Sequence, residues 1–326
     1  LLLIQRWLDY DGSSNQYARL LELAHDLPEM LLFLVWVAVV YCALCAMAVY
    51  SYLYNHRSAC GIHALPVSRD SLFVTNYLSG VSFFLLPNAI ITLATVAVEM
   101  LLLQSGDWGS AIPRVITICG ALTGMQIFFF SFATFCAMVT GNTFALPVFY
   151  GIFNGLVVGI YAILIIWAEL LFYGVQISGV PAFAEWCTPV YMFMRACEWE
   201  RYGMVGEEWM ELPPAQHHLY SPGTILAYTA VGLVFAALAL LIYRRRHIES
   251  AGDVVAFPIL CPLFRFGVGL CAGLTFGTGM VAFFGVQSSA VLSTLFIVLW
   301  AVIGYFVAEM FLQKSFRFWR QWKGSL

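Results

Sequence analysis

The chain has 326 residues, of which 62% are hydrophobic and only 10% charged, with a mean hydropathy of +0.85. A water-surrounded domain carries roughly 25% charged residues, so a soluble globule is excluded. The net charge of −3, with no basic stripe interleaved with aromatics, sets nucleic acid aside as a partner.

The chain opens on Leu1, Leu2, Leu3 and Ile4, followed by Gln5, Arg6 and Trp7, with neither an initiator Met nor the basic flank of a signal peptide. Residues 1–29 therefore read as the end of a truncated first span and an external loop. Seven apolar stretches follow, at 30–54, 78–103, 112–139, 144–172, 223–243, 259–285 and 289–312. Each meets or approaches the roughly 20 residues that a helix needs to cross about 30 Å of hydrocarbon. Hydrocarbon offers backbone groups no water, and the alternating ten-residue segments of a barrel are absent, so the spans are helices. The expected fold is an all-α polytopic membrane protein.

Between the first two readable spans lies a connector, 55–77, with a basic and polar opening, a Leu65-Pro66 break and then Ser68-Arg69-Asp70-Ser71. The order suits a short helix lying at the membrane surface, with Ser68 as its N-cap and Pro66 preventing one continuous helix. Only Thr140, Gly141, Asn142 and Thr143 separate the third and fourth stretches. The long segment 173–221 mixes acidic residues with Phe183, Trp186, Tyr191, Trp199, Tyr202 and Trp209 and suits the membrane interface.

Placing 55–77 in the cytoplasm puts Arg57, Arg69, Arg244, Arg245, Arg246, Lys314, Arg317, Arg320 and Lys323 on that side by strict alternation. Most carboxylates then face outward, and the positive-inside rule favours this orientation. The missing N-terminus and the C-terminus would both be cytoplasmic. The basic, aromatic tail 314–326 would anchor the last helix at an anionic inner leaflet.

Polar groups inside spans mark pathways or interhelical contacts. Asn88, Gln126 and Asn154 are the pathway candidates, with Arg265 also deep. Glu99, Glu169 and Glu309 sit close enough to helix ends to reach water or headgroups. Pro87 predicts a kink, and the glycines from Gly267 to Gly279 a close-packing face. No histidine falls in a metal-ligand spacing and no site for a cofactor is evident. Cys187 and Cys197 share the external segment and are candidates for a disulfide. No Gly-rich phosphate loop precedes Lys314-Ser315, so the chain by itself is not expected to be an ATPase or other enzyme.

The order of a long connector, a tight turn and a long external segment resembles that of ABC-2 type permeases, the membrane subunits of bacterial ATP-binding-cassette exporters. The strings Tyr52-Leu53-Tyr54-Asn55-His56-Arg57-Ser58-Ala59, His63-Ala64-Leu65-Pro66-Val67-Ser68-Arg69 and Tyr243-Arg244-Arg245-Arg246 carry the local likeness. The resemblance implies an ABC-2 type (type V exporter-like) helix bundle in a bacterial plasma membrane, with a core permease over 30–243 and an appended loop, two helices and tail over 244–326. It implies that Arg57, His63, Leu65, Pro66, Arg69 and Asp70, with Thr140, Gly141, Asn142 and Thr143, contact a separate ATPase subunit that holds ATP and Mg. It further implies a dimer with a second copy or a related permease, and outer half-helices within 173–221. The two extra C-terminal helices depart from the six-helix pattern. The cargo class favoured by the apolar, Met-bearing surfaces is amphipathic or lipid-like. An ATP-independent transporter or membrane scaffold is the alternative.

Overall fold

The computed structural model describes residues 30–64, 66–171, 179, 181–200, 202–205, 208–211, 218–246, 260–285 and 289–313. Residues 1–29, on which the expected truncated first span falls, lie outside these residues, as do Leu65, most of the loop after Arg246 and the basic tail. Among the described residues, seven helical stretches are long and apolar enough to cross a membrane. They are α1 (Met30–Val49), α3 (Arg69–Leu102), α4 (Trp108–Val139), α5 (Ala145–Leu171), α8 (Pro222–Arg245), α9 continuing into α10 (Cys261–Ala272, Thr278–Phe283) and α11 (Ala290–Gln313). The protein is a multi-pass helical membrane protein.

The connector folds differently from the expected pattern. Its short helix is α2 (His56–His63), lying before Pro66 and capped by Asn55, whose side chain accepts from the Arg57 amide at 3.1 Å. Ser68 opens the spanning helix α3 itself, its Oγ accepting from the Ser71 amide at 3.2 Å. A cap followed by mixed polar residues looks alike for a surface helix and for the first turns of a long span. Pro87 sits inside α3 and cannot donate to the Phe83 carbonyl four residues earlier. The Tyr41 hydroxyl on α1 takes that role at 2.8 Å, so the break is satisfied from a neighbouring helix.

The segment 173–221 contains α6 (Ala182–Trp186) and α7 (Pro189–Ala196), then strands β1 (Trp199–Glu200), β2 (Tyr202–Val205), β3 (Glu208–Glu211) and β4 (His218–Leu219). β2 pairs antiparallel with β3, and β1 with β4. Helix in this segment thus runs only up to Ala196, and strands follow it. Aromatic and β-branched residues at Trp199, Tyr202, Val205 and Trp209 favour strand beyond it. Between the cross-strand partners Glu200 and His218, His218 Nε2 also lies 3.0 Å from a Glu200 carboxylate oxygen.

The chain divides into two compact units, one built on residues up to Ala46, Val74–Phe132 and Val190–Ala237 and the other on Met47–Phe73, Ala133–Pro189 and Leu238 onward. In the first, the buried rings of Phe128, Phe129 and Phe130 on α4 form the core. Phe128 meets Phe193 of α7 at 5.6 Å and Tyr228 of α8 at 5.3 Å, and Phe130 meets Phe84 of α3 at 5.9 Å. A side chain at Gly232 would stand 2.7 Å from the Phe128 Cα, so α8 and α4 cross backbone to backbone.

In the second unit, Phe264 of α9 stacks on Phe149 of α5 with ring centroids 4.8 Å apart. Residues Gly273–Gly277 form a π-turn between α9 and α10. There a Cβ at Gly277 would lie 2.7 Å from the Ile297 Cα of α11. This is the close-packing face that the glycine run predicts. Arg265 pairs with Glu309 across α9 and α11 at 2.6 Å, and Gln313 Nε2 donates to the same carboxylate at 2.5 Å. Glu309 thus meets a partner inside the protein rather than water.

Candidate functional site

The second unit gathers the ends of several helices into a polar knot. The 3-10 turn Ser51–Tyr54 leaves α1 and supplies Tyr52 and Tyr54, while the start of α3 supplies Arg69 and Asp70. The last turn of α4 brings the Ala137 and Met138 carbonyls with Thr140, and the end of α8 brings Tyr243, Arg244 and Arg246.

Two helix ends complete each other here. Arg244 grips Asp70 with two bonds, Nε to Oδ1 at 2.7 Å and Nη2 to Oδ2 at 2.8 Å, the planar fork that fixes orientation as well as charge. In return Arg69 Nη1 donates to the carbonyls of Arg246 at 3.0 Å and Arg244 at 3.4 Å, which lie where α8 runs out of its own amides. Arg246 turns inward. Its side chain is buried, and Nη1 donates to the Ala137 and Met138 carbonyls at 2.9 and 3.1 Å. A cation there meets both the unpaired carbonyls and the negative end of the α4 dipole.

Aromatic side chains surround these bonds. The Tyr52 and Tyr243 hydroxyls lie 3.3 Å apart, and Phe73 packs between Tyr50 and Tyr243 with centroid distances of 6.3 and 5.7 Å. Burial pushes the Tyr54 hydroxyl up to about 12, against the opposing pull of nearby Thr140 and Arg246. Burial also lowers the pKa of Arg246, partly offset by the hydroxyls of Tyr54, Tyr52 and Tyr243, but guanidinium stays charged at physiological pH. The knot therefore holds a permanent cation against helix carbonyls in an aromatic setting.

The predicted coupling residues divide. Arg69, Asp70 and Thr140 belong to the knot, and Thr140 Oγ1 donates back to the Cys136 carbonyl at 3.0 Å. Asn142 shapes the tight turn: its Oδ1 accepts from the Phe144 amide at 3.0 Å and its carbonyl from the Ala145 amide at 3.1 Å. Gly141 is buried in that turn and Thr143 half-buried. Arg57 and Pro66 are exposed and stand outside the bonded set. His63 ends α2, but its side chain, like Leu65, lies outside the described residues. Sequence reading missed the roles of Tyr52, Tyr54, Tyr243 and Arg246. The triple-arginine run was visible, though nothing local distinguishes the residue that turns inward.

In the first unit Asn88 and Gln126 come together: Asn88 Nδ2 donates to Gln126 Oε1 at 2.6 Å and to Thr123 Oγ1 at 3.0 Å. Asn154 belongs to the other unit and donates to the Tyr150 carbonyl of its own helix at 2.8 Å. Glu99 is fully buried in the first unit rather than reaching water, with buried Arg114 as its electrostatic neighbour. The Glu169 side chain lies outside the described residues. Cys187 and Cys197 are both free thiols. Cys187 is exposed, whereas Cys197 is buried with its S–H directed at Met125 Sδ, 3.6 Å away, and burial pushes its thiol up to about 12. The candidate disulfide is thus not formed. Among the described residues no group of three or more His, Cys, Asp or Glu side chains converges as metal ligands would.

No family model, curated protein or solved structure matches the chain.

Proposed function

We propose that the chain is the permease subunit of an ABC-2 type exporter in a bacterial plasma membrane, with the knot on the cytoplasmic side. The observation that carries this reading is the bonded link from the start of α3, through the end of α8, to the α4 carbonyls beside the 140–143 turn. The connector and the turn are the two elements that the resemblance assigns to the ATPase contact. Arg246 and Arg69 join them through α8.

In this mechanism, ATP and Mg are held by a separate ATPase dimer, and a second copy or a related permease completes the membrane unit. Closure of the ATPase displaces α2 and the turn. The bidentate Asp70–Arg244 contact passes that displacement to α8, and the bundle switches access to the outside. The exposed Arg57 offers a cation for an acidic ATPase groove. An amphipathic or lipid-like cargo suits the largely apolar spans.

The test is co-expression with neighbouring gene products, purification of any ATPase that co-elutes, and parallel assays of ATP turnover and transport. Asp70→Arg and Arg244→Asp should each lower transport per ATP by roughly tenfold, within the usual range of coupling energies, and the double exchange should restore it. A chain that binds no ATPase and transports on an ion gradient removes the reading. One observation favours that alternative, an ATP-independent transporter: the buried Glu99 beside Arg114, because buried charges inside spans commonly serve ion pathways. Glu99→Gln separates the two, abolishing ion-driven uptake in the alternative and sparing ATP-driven export in the first.

A further inference from the structure

The Asn88–Gln126 contact has two free ends. Asn88 spends both amide hydrogens, one on Gln126 Oε1 and one on Thr123 Oγ1. Its Oδ1 and the Gln126 Nε2 make no hydrogen bond, yet neither atom is sealed from the surface. The two residues are otherwise largely buried, 8% and 7% exposed, and lie well inside α3 and α4.

An amide group left unpaired in hydrocarbon costs several kcal/mol. The pair therefore needs a partner that donates once, to Asn88 Oδ1, and accepts once, from Gln126 Nε2. A carboxylate only accepts and an ammonium only donates. Water and a hydroxyl do both, and so does a secondary amide, which adds a planar unit with a carbon flank on each side. Apolar surface for its flanks is adjacent in sequence: Cys42 of α1 donates its S–H to the Gln126 carbonyl at 3.5 Å, and the preceding residue, Tyr41, lines an open apolar groove of about 380 Å³ with Trp36, Val37, Val40 and Leu44.

We propose that the Asn88–Gln126 pair is a cargo subsite that recognises a peptide-type secondary amide carried on an apolar molecule. Its place on a transport path rests on the exporter reading, but binding does not require the ATPase.

The experiment measures binding of N-hexyl-10-(pyren-1-yl)decanamide, which carries a single secondary amide between apolar chains, and of the corresponding hexyl ester, to the purified chain in lipid nanodiscs. Wild type should bind the amide about tenfold more tightly than the ester, as loss of one or two such bonds predicts. Asn88→Ala and Gln126→Ala should bind both probes equally, and Asn154→Ala should keep the preference. Gln126→Glu replaces the Nε2 donor with an acceptor at constant shape, so it too should lose the preference even if the alanine variants fold poorly. Equal binding of the two probes by wild type, no binding up to the solubility limit, or a preference that survives Gln126→Glu overturns the proposal. So does conversion of Asn88→Ala from dimer to monomer with its preference intact, which would assign the pair to an interface between copies. A retained amide preference without any ATPase partner leaves the subsite standing and removes the exporter reading. ATP-coupled transport without amide preference does the reverse.

Discussion

Arg246 is the residue on which the knot turns. Its guanidinium satisfies two carbonyls at the end of α4 and sits behind the peptide that Arg69 caps. Arg246→Ala strands those buried acceptors, so it should lower stability by about 1–3 kcal/mol, read as an earlier thermal unfolding midpoint in detergent. Arg246→Lys should recover only part of this, because a point charge on a flexible stem cannot reproduce a fork aimed at adjacent carbonyls. Asp70 and Arg244 behave differently. Each is half exposed, and an exposed ion pair contributes little to stability, so their exchange should register in transport coupling and not in melting. Neither contrast was legible in the sequence, where three consecutive arginines after an apolar span read equally well as a topology signal. The inward turn of the third depends on carbonyls more than 100 residues earlier in the chain.

At the scale of elements, the long apolar runs were legible because hydrocarbon thickness sets a length that no soluble helix needs. The start of α3 was not. Arg69–Tyr77 contains Arg69, Asp70 and Asn76, and such a stretch has the polarity of a surface helix whether it lies on the membrane or leads into it. The strands within 199–219 were hidden for a related reason, since two- and four-residue ladders leave no periodicity to read. Pro87 was legible as a break, but its repair by Tyr41 was not. That repair is testable by a double-mutant cycle on the unfolding midpoint. Tyr41→Phe should cost about 1 kcal/mol in the presence of Pro87. With Pro87→Ala the restored amide reaches the Phe83 carbonyl, and the same tyrosine change should cost close to nothing. Equal cost in both backgrounds would detach Tyr41 from the break.

For the whole molecule, orientation can be read from native thiols. Cys60 on α2 and Cys187 after α6 are both exposed. In variants keeping one of the two, a membrane-impermeant maleimide should label Cys187 in intact cells and Cys60 only after permeabilisation; the reverse pattern would invert the topology on which the cytoplasmic knot depends. A variant keeping Cys197 alone should resist labelling near pH 7.5 and gain thiolate only as the pH approaches 12, because burial disfavours its charged form. The reciprocal capping of α3 and α8 also bears on how the protein is made. Asp70 lies 174 residues ahead of Arg244, so at roughly 5–20 residues per second the ribosome takes about 9–35 s to supply the partner. During that interval every span up to α5 has been synthesised while the start of α3 and the carbonyls of α4 still await their arginines. A chain that stops short of α8 is left with these groups uncapped, a lasting chemical difference between an interrupted product and a finished one.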